Sequence, residues 1–313
     1  MKISVVVVSY NMRREAARTL FSLATPYQRR IAGEDYEVIV VDNGSAEPLD
    51  RGLIESFGPG FRYFFRETDS ASPAGAVNFG VAKARHECIG VFVDGARIVT
   101  PGLLFFARQG LAISERAVVG ALGWHLGPDY QWLSMTRGYD REAEDELLRR
   151  SEWTTDGYRL FSISSLAGSS RYGYFRTPGE CNTLFLRRAL YEELGGMDEH
   201  FTSIGGGLVN CDFFRRACEA RETELVMLLG EGSFHQLHGG ASTNVTGEER
   251  ERRMLSYAHE YEALRGKPFA SPEKDAIYLG SLPPAGFDVL EYSIRQAAQG
   301  NGTEAVSGKR RSE

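Results

Sequence analysis

No apolar run in this chain is long enough to cross a membrane. The run at the amino terminus, Ile3 to Val8, meets polar Ser9 and Asn11 too soon for a span or for the apolar region of a secretion signal. Cysteine is scarce. The four residues Cys88, Cys181, Cys211 and Cys218 form no CxxC pair and fall in apparent core or helical segments, as reduced thiols do. A cytoplasmic protein without a transmembrane segment is expected, with peripheral membrane contact still open to it. Basic excess is missing too, since the net charge is −6. Without a basic face to displace phosphate counterions, nucleic acid is not an expected partner. No GxGxxG opens the first helix, which disfavours a dinucleotide oxidoreductase. The loop after the first strand, Ser9-Tyr10-Asn11-Met12, lacks the glycines of a nucleotidyltransferase phosphate loop. There is no internal repeat and no low-complexity block.

What is present is an alternation. Ile3 to Val8 is a β-branched run broken only by Ser4, the pattern of a strand buried on both faces of a parallel sheet. A helix is expected from about Arg13 to Ala24, and a second strand over Glu37 to Val41, ending at the turn formers Asp42-Asn43-Gly44-Ser45. Phe61 to Phe65 reads as a strand, Ala74 to Arg85 as a helix, and Cys88 to Val93 as a strand ending at Asp94. The order implies a doubly wound α/β sheet, in which ligands bind beyond the carboxyl ends of the strands. Asn11, Asp42 and Asp94 fall at that edge. From 127 to 177 only a helix at Arg141 to Arg150 stands out. Further elements are expected at Asn182 to Arg187, Ala189 to Leu194, Asp212 to Glu219 and Glu248 to Arg265, with a disordered polar tail after them.

Four groups carry candidate chemistry, and each has a plain structural reading beside it. Asp42 can accept the imide hydrogen of a uracil or the hydroxyls of a ribose, or it can bind its own turn. Asp94 can hold a metal and Arg97 can contact phosphate, or Asp94-Gly95 is only a turn. Asp212 can take a proton from an incoming hydroxyl, or cap its helix. His235 and His238 have a spacing that suits a metal, or one of them is only a satisfied core or surface group; the glycines after His238 favour that histidine as the one facing a ligand.

Taken together, these segments resemble a family 2 glycosyltransferase of the GT-A fold over roughly residues 1–244. The resemblance rests on Val5 to Asn11 with Val41-Asp42-Asn43-Gly44-Ser45, on Ala74 to Ala84 with Asn78 and Gly80, and on Phe92-Val93-Asp94 followed by Thr100-Pro101-Gly102. It continues in Gly179 to Arg187, Gly195-Gly196-Met197-Asp198 and Gly205 to Arg215. Two positions depart from the family pattern: Ala96 replaces the second acid of the DxD segment, and Asn210 stands where the family often has an acid.

The resemblance implies a mostly parallel sheet flanked by helices, in a domain spanning 1–245. Its nucleotide-sugar half is 1–125 and its acceptor half 126–245, and a helical extension occupies 246–313. The implied activity is inverting transfer of a sugar from a UDP- or GDP-type donor to a glycan or lipid-linked acceptor, in polysaccharide, glycolipid or glycoconjugate synthesis. Donor-side residues would be Ser9, Tyr10, Asn11, Asp42, Asn43, Asn78, Asp94 and Arg97. Glu180, Asn182, Gly206 and Gly207 would lie on the acceptor side, with Asp212 as the base. A divalent cation, Mn or Mg, would sit on Asp94 and His238. A non-catalytic nucleotide- or glycan-binding relative, or a nucleotidyltransferase, are the alternatives.

Overall fold

The computed structural model describes residues 1–299. Its elements are β1 (Ile3–Ser9), α1 (Arg13–Leu23), β2 (Tyr36–Asp42), α2 (Arg51–Ser56), β3 (Phe61–Phe65), α3 (Ala74–Ala82), β4 (Cys88–Phe92), β5 (Arg97–Val99), α4 (Leu103–Leu111) and β6 (Ala117–Leu126). There follow α5 (Gln131–Met135), α6 (Arg141–Ser151), β7 (Ser164–Leu166), β8 (Leu184–Arg187), α7 (Arg188–Glu193), α8 (Val209–Glu219), β9 (Glu224–His235), α9 (Gly247–Arg265), β10 (Ala276–Gly280) and α10 (Phe287–Ala298). Among the described residues no helix is long and apolar enough to cross a membrane.

One sheet in the order β10-β9-β6-β8-β4-β1-β2-β3 carries the molecule. Along that path only β8 runs against its neighbours, and β5 and β7 attach antiparallel to β9 and β6. The sheet is therefore mixed, with a parallel group β4-β1-β2-β3 on one side of β8 and a parallel group β6-β9-β10 on the other. Every residue of β1, β2, β4 and β6 is buried because helices cover both faces. Val6, Val8, Ile39 and Val41 face a core shared with α3. Val5, Val7, Val38 and Val40 face the opposite core, shared with α1 and α4. The alternation of side chains along each strand makes this division.

Two of the longest strands, β6 and β9, lie where the sequence pattern names no element. Glycine breaks up both runs: β6 carries an irregularity between Gly120 and Leu122, and β9 contains Gly230 at φ 74° beside the buried acid Glu231. After 246 the chain is not helical throughout, because β10 pairs in parallel with β9 and so joins the sheet. The expected disordered tail lies outside the described residues.

Two aspartates expected in the site are structural anchors instead. Asp42 is fully buried; its Oδ1 accepts from Ser45 N–H at 3.0 Å, and its Oδ2 accepts from Leu49 N–H at 2.9 Å and from the Tyr63 hydroxyl at 3.2 Å. Both oxygens are used inward, so the side chain holds the loop after β2 and does not face a ligand. Asp212, 1% exposed, lies in the first turn of α8. It accepts from Arg216 Nε at 2.8 Å and from Arg265 Nε and Nη2 at 2.6 and 2.8 Å, which ties α8 to the end of α9. With two guanidinium groups on it, Asp212 is neither a cap nor placed to take a proton.

Asp42→Ala orphans two backbone donors, at a cost of about 1–3 kcal/mol for each left buried without a partner. The melting temperature should fall clearly; an unchanged melt with lost nucleotide affinity would return Asp42 to the ligand. Asp212→Asn should likewise lower stability, by on the order of 2–3 kcal/mol, because two arginines lose their counter-charge. A denaturant titration that leaves the mutant as stable as wild type, with turnover lost, would restore its assignment as the base.

Candidate functional site

A cleft of about 770 Å³ opens beyond the carboxyl ends of β1, β2, β4 and β9. The loops after β1 and β2 form one wall and are stitched together: Asn11 N–H donates to Ser45 Oγ at 2.8 Å, and Ala46 N–H donates to Asn11 Oδ1 at 3.0 Å. Asn11 has φ 53°, a left-handed conformation that asparagine tolerates better than most residues. Tyr10, Asn11 and Asn43 line the cavity here, as do Thr68 to Ala71, with the Thr68 carbonyl against Gly44. Asn43 Oδ1 accepts from Arg66 Nη1 at 3.1 Å.

The floor is built by β5 against β9. Their antiparallel register sets Arg97 opposite His235, and the turn before β5 brings Asp94 alongside. Asp94 Oδ1 accepts from Ala96 N–H at 2.9 Å, which fixes the turn. Gly95 is required there, since a Cβ would stand 2.8 Å from the Val8 carbonyl oxygen. Asp94 Oδ2 lies 2.9 Å from His235 Nε2 and 3.7 Å from His238 Nε2, and the two imidazole nitrogens are 3.0 Å apart. Ligand atoms of all three residues fall within 4.8 Å of one another.

Protonation decides what this cluster can hold. His235 Nδ1–H donates to Gln131 Oε1 at 2.6 Å, and the amide orientation follows from Gln131 Nε2 donating to the His235 carbonyl at 2.8 Å. Nε2 of His235 therefore carries the lone pair in the neutral ring. Burial pushes His235 down to about 4 despite the neighbouring Asp94, so the ring is neutral near pH 7. Burial pushes the Asp94 carboxyl up, but His238 and His235 more than offset this and hold it well below the usual range. Lone pairs thus converge from a carboxylate and an imidazole. Two nitrogens and one oxygen are a donor set that suits a first-row divalent cation.

Arg97, 6% exposed, contributes a buried cation to the same wall. Its Nη2 lies 3.6 Å from Asp94 Oδ2, while Nε and Nη1 have no protein partner among the described residues. Across the cleft, Asn210 Nδ2 donates to Glu180 Oε2 at 2.9 Å and to Asn182 Oδ1 at 3.1 Å. Gly205 and Gly207 line that side; Gly206 is buried against Pro73 and does not reach the cavity.

Tyr10, Asn11, Asn43, Asp94, Arg97, Glu180, Asn182, Gly207 and His238 thus meet around one cavity. Ser9 does not join them, being fully buried with its hydroxyl pointing inward. Asn78 lies elsewhere: its Nδ2 donates to the Met197 carbonyl and to Glu199, while its Oδ1 accepts from Tyr191 and Met197 N–H, which pins α3 to the loop after α7. His235 completes the cluster although the glycines after His238 directed attention away from it; the three-residue spacing of the histidines was the signal.

The family model for Glycosyl transferase family 2 matches residues 4–192. Validoxylamine A glucosyltransferase of Streptomyces hygroscopicus subsp. limoneus is 32% identical over 128 residues, which is 40% of this chain and 24% of that protein. The counterpart from subsp. jinggangensis (strain 5008) is 32% identical over the same length, 26% of its chain. The matched stretch thus spans about a quarter of these curated relatives. In fold, the chain is similar to the mannosyltransferase PcManGT of Pyrobaculum calidifontis, solved in complex with GDP-Man and Mn2+. The TM-score is 0.53 at 15% identity, over 95% of this chain and 73% of that one. With the family model spanning more than half of the sequence over a GT-A fold, the chain belongs to glycosyl transferase family 2.

Proposed function

We propose that this protein transfers a sugar from a nucleotide-diphosphate donor to an acceptor hydroxyl, with inversion at the anomeric carbon. The observation that carries the reading is the convergence of Asp94, His235 and His238 beside the buried Arg97 at the floor of the cleft. These three side chains would hold a divalent cation, and imidazole donors favour Mn over Mg. When bound, the cation supplies positive charge to the diphosphate leaving group. Tyr10, Asn11 and Asn43 line the wall nearest β1 and β2 and take the nucleoside. Arg97 lines the cavity and sets a positive charge beside the diphosphate, an attraction that strengthens as negative charge develops there.

The acceptor enters on the Glu180 side. Asp69, Asp94 and Glu180 are the acids that line the cavity. Asp94 belongs to the histidine cluster, and Asp69 is exposed. Glu180 is left as the base, half-buried with Oε2 held by Asn210 and Oε1 free for an incoming hydroxyl. The acceptor oxygen forms a bond to the anomeric carbon as the bond to the diphosphate oxygen breaks. The electron pair leaves with the diphosphate, and the acceptor proton passes to Glu180. Within this scheme 1–125 forms the donor half and 126–245 the acceptor half, except that β9 and the loop after it lend His235 and His238 to the donor. A cytoplasmic site of action and a glycan or lipid-linked acceptor complete the proposal.

Ala96 and Asn210 favour a second reading, a relative that binds a nucleotide sugar without turnover. Product formation from a panel of UDP- and GDP-sugars separates the two.

MnCl2 added with UDP or GDP should raise the melting temperature, since a ligand bound only by the folded state stabilises it. His235→Ala should abolish the manganese-dependent part; if the rise survives in His235→Ala, the cation binds elsewhere. Glu180→Gln should lower the transfer rate by about 100-fold or more, in line with general-base contributions, with nucleotide affinity unchanged. Normal turnover in Glu180→Gln would remove the base from this position.

A further inference from the structure

We propose that Gln131, through one carboxamide, sets both histidines of the cluster for cation binding. Gln131 opens α5 and is fully buried. Its Oε1 accepts from His235 Nδ1–H at 2.6 Å and from Asn244 Nδ2 at 3.0 Å, while its Nε2 donates to the His235 carbonyl at 2.8 Å. Asn244 carries the connection onward. Its Oδ1 accepts from the N–H groups of His238, Gly239 and Gly240 at 3.1, 3.0 and 2.8 Å, a convergence that uses Gly239 at φ 90°. Gln131 is therefore bonded directly to the first histidine and, through one residue, to the loop that presents the second.

Two consequences follow from the chemistry of an amide. Its oxygen only accepts, so His235 must keep its proton on Nδ1 and turn the Nε2 lone pair toward Asp94 and His238. Its nitrogen only donates, so the carboxamide cannot rotate by half a turn without setting N–H against N–H at His235 and losing the bond to the His235 carbonyl. A single buried side chain thereby fixes the tautomer and the ring plane of one ligand and the loop of the other. Gln131 touches no reacting atom; it is a positioning residue, and this role rests on the cation reading above.

The test measures Mn2+ binding by calorimetry in the absence of nucleotide, together with the ring-nitrogen NMR shifts of His235 in the metal-free protein. Wild type should show the Nδ1–H form alone. Gln131→Leu should populate both tautomers and weaken Mn2+ by roughly 10–100-fold, as loss of a ligand's outer partner does. Gln131→Glu keeps an acceptor for His235 Nδ1–H but gives up the bond to the His235 carbonyl, so it should keep the Nδ1–H tautomer and bind Mn2+ more tightly than Gln131→Leu, which a merely space-filling role would not produce. A wild-type His235 protonated on Nε2, or equal Mn2+ affinity in Gln131→Leu, overturns the proposal while leaving the cation site standing. If Gln131→Leu does not fold, the wild-type tautomer and Gln131→Glu still decide it. Absence of Mn2+ binding by wild type, with the Nδ1–H tautomer intact, instead overturns the cation reading and this role with it.

Discussion

The antiparallel pairing of β5 with β9 is the contact on which the cleft depends. β5 is only three residues long and has a strand neighbour on one side alone. On the other side α1 takes up its backbone: Arg97 N–H donates to Thr19 Oγ1 at 2.9 Å and Val99 N–H to Ser22 Oγ at 3.1 Å. Thr19 also donates to the Gly95 carbonyl at 2.7 Å, so one hydroxyl secures both sides of the Asp94 turn. A slip of one residue between β5 and β9 would turn His235 to the opposite face and disperse the cluster. Beyond His235 the chain is held by Gln236 N–H on the Ala96 carbonyl and by Leu237 N–H on the buried Glu144. Two halves of the sequence separated by more than a hundred residues are thus brought to one site by short, fully hydrogen-bonded segments.

That arrangement has an electrostatic consequence. Arg97 is a buried cation whose nearest carboxylate stands 3.6 Å away and whose Nε and Nη1 have no partner among the described residues. A buried cation is unfavourable unless counter-charge meets it, and in the proposed scheme a diphosphate in the cleft would supply that charge. The fold positions the guanidinium in advance, so little reorganisation remains when the donor binds.

Much of the architecture was legible in the sequence because β1, β2 and β4 are mostly apolar runs bounded by turn formers, and α1, α3, α6 and α9 follow from composition and periodicity. The strands β6 and β9 were not, since glycines and a buried glutamate interrupt them and tertiary packing decides their conformation. Within the site, motif positions indicated the right loops but not always the right side chains. Asp42, in register with Ser9 at the end of two buried strands, is still inside the sheet, and the next residue, Asn43, is the first to reach the cleft. On α8 the same distinction runs around the helix: Asp212 and Arg216, four residues apart, face Arg265, whereas Val209 and Asn210 face the cavity. Sequence spacing gives the face only when it is known which face is turned inward.

The two departures from the family pattern are coupled through charge. Ala96 and Asn210 each stand where the family pattern has an acid, one in the turn after Asp94 and the other in the first turn of α8. On the donor side the loss is met by neutral donors: His235 and His238 bring lone pairs without negative charge, and Arg97 adds a cation, so a diphosphate would meet a more positive floor than two carboxylates would give. In the proposed scheme the acceptor-side carboxylate is Glu180, ahead of β8, in place of a residue on the helix. Asn210 then takes a different part: it holds Glu180 through a donor that an aspartate in its place would lack. Putting an acid back at 210 would oppose two carboxylates across a short gap and raise the proton affinity of one of them, so the amide and the glutamate make sense only as a pair.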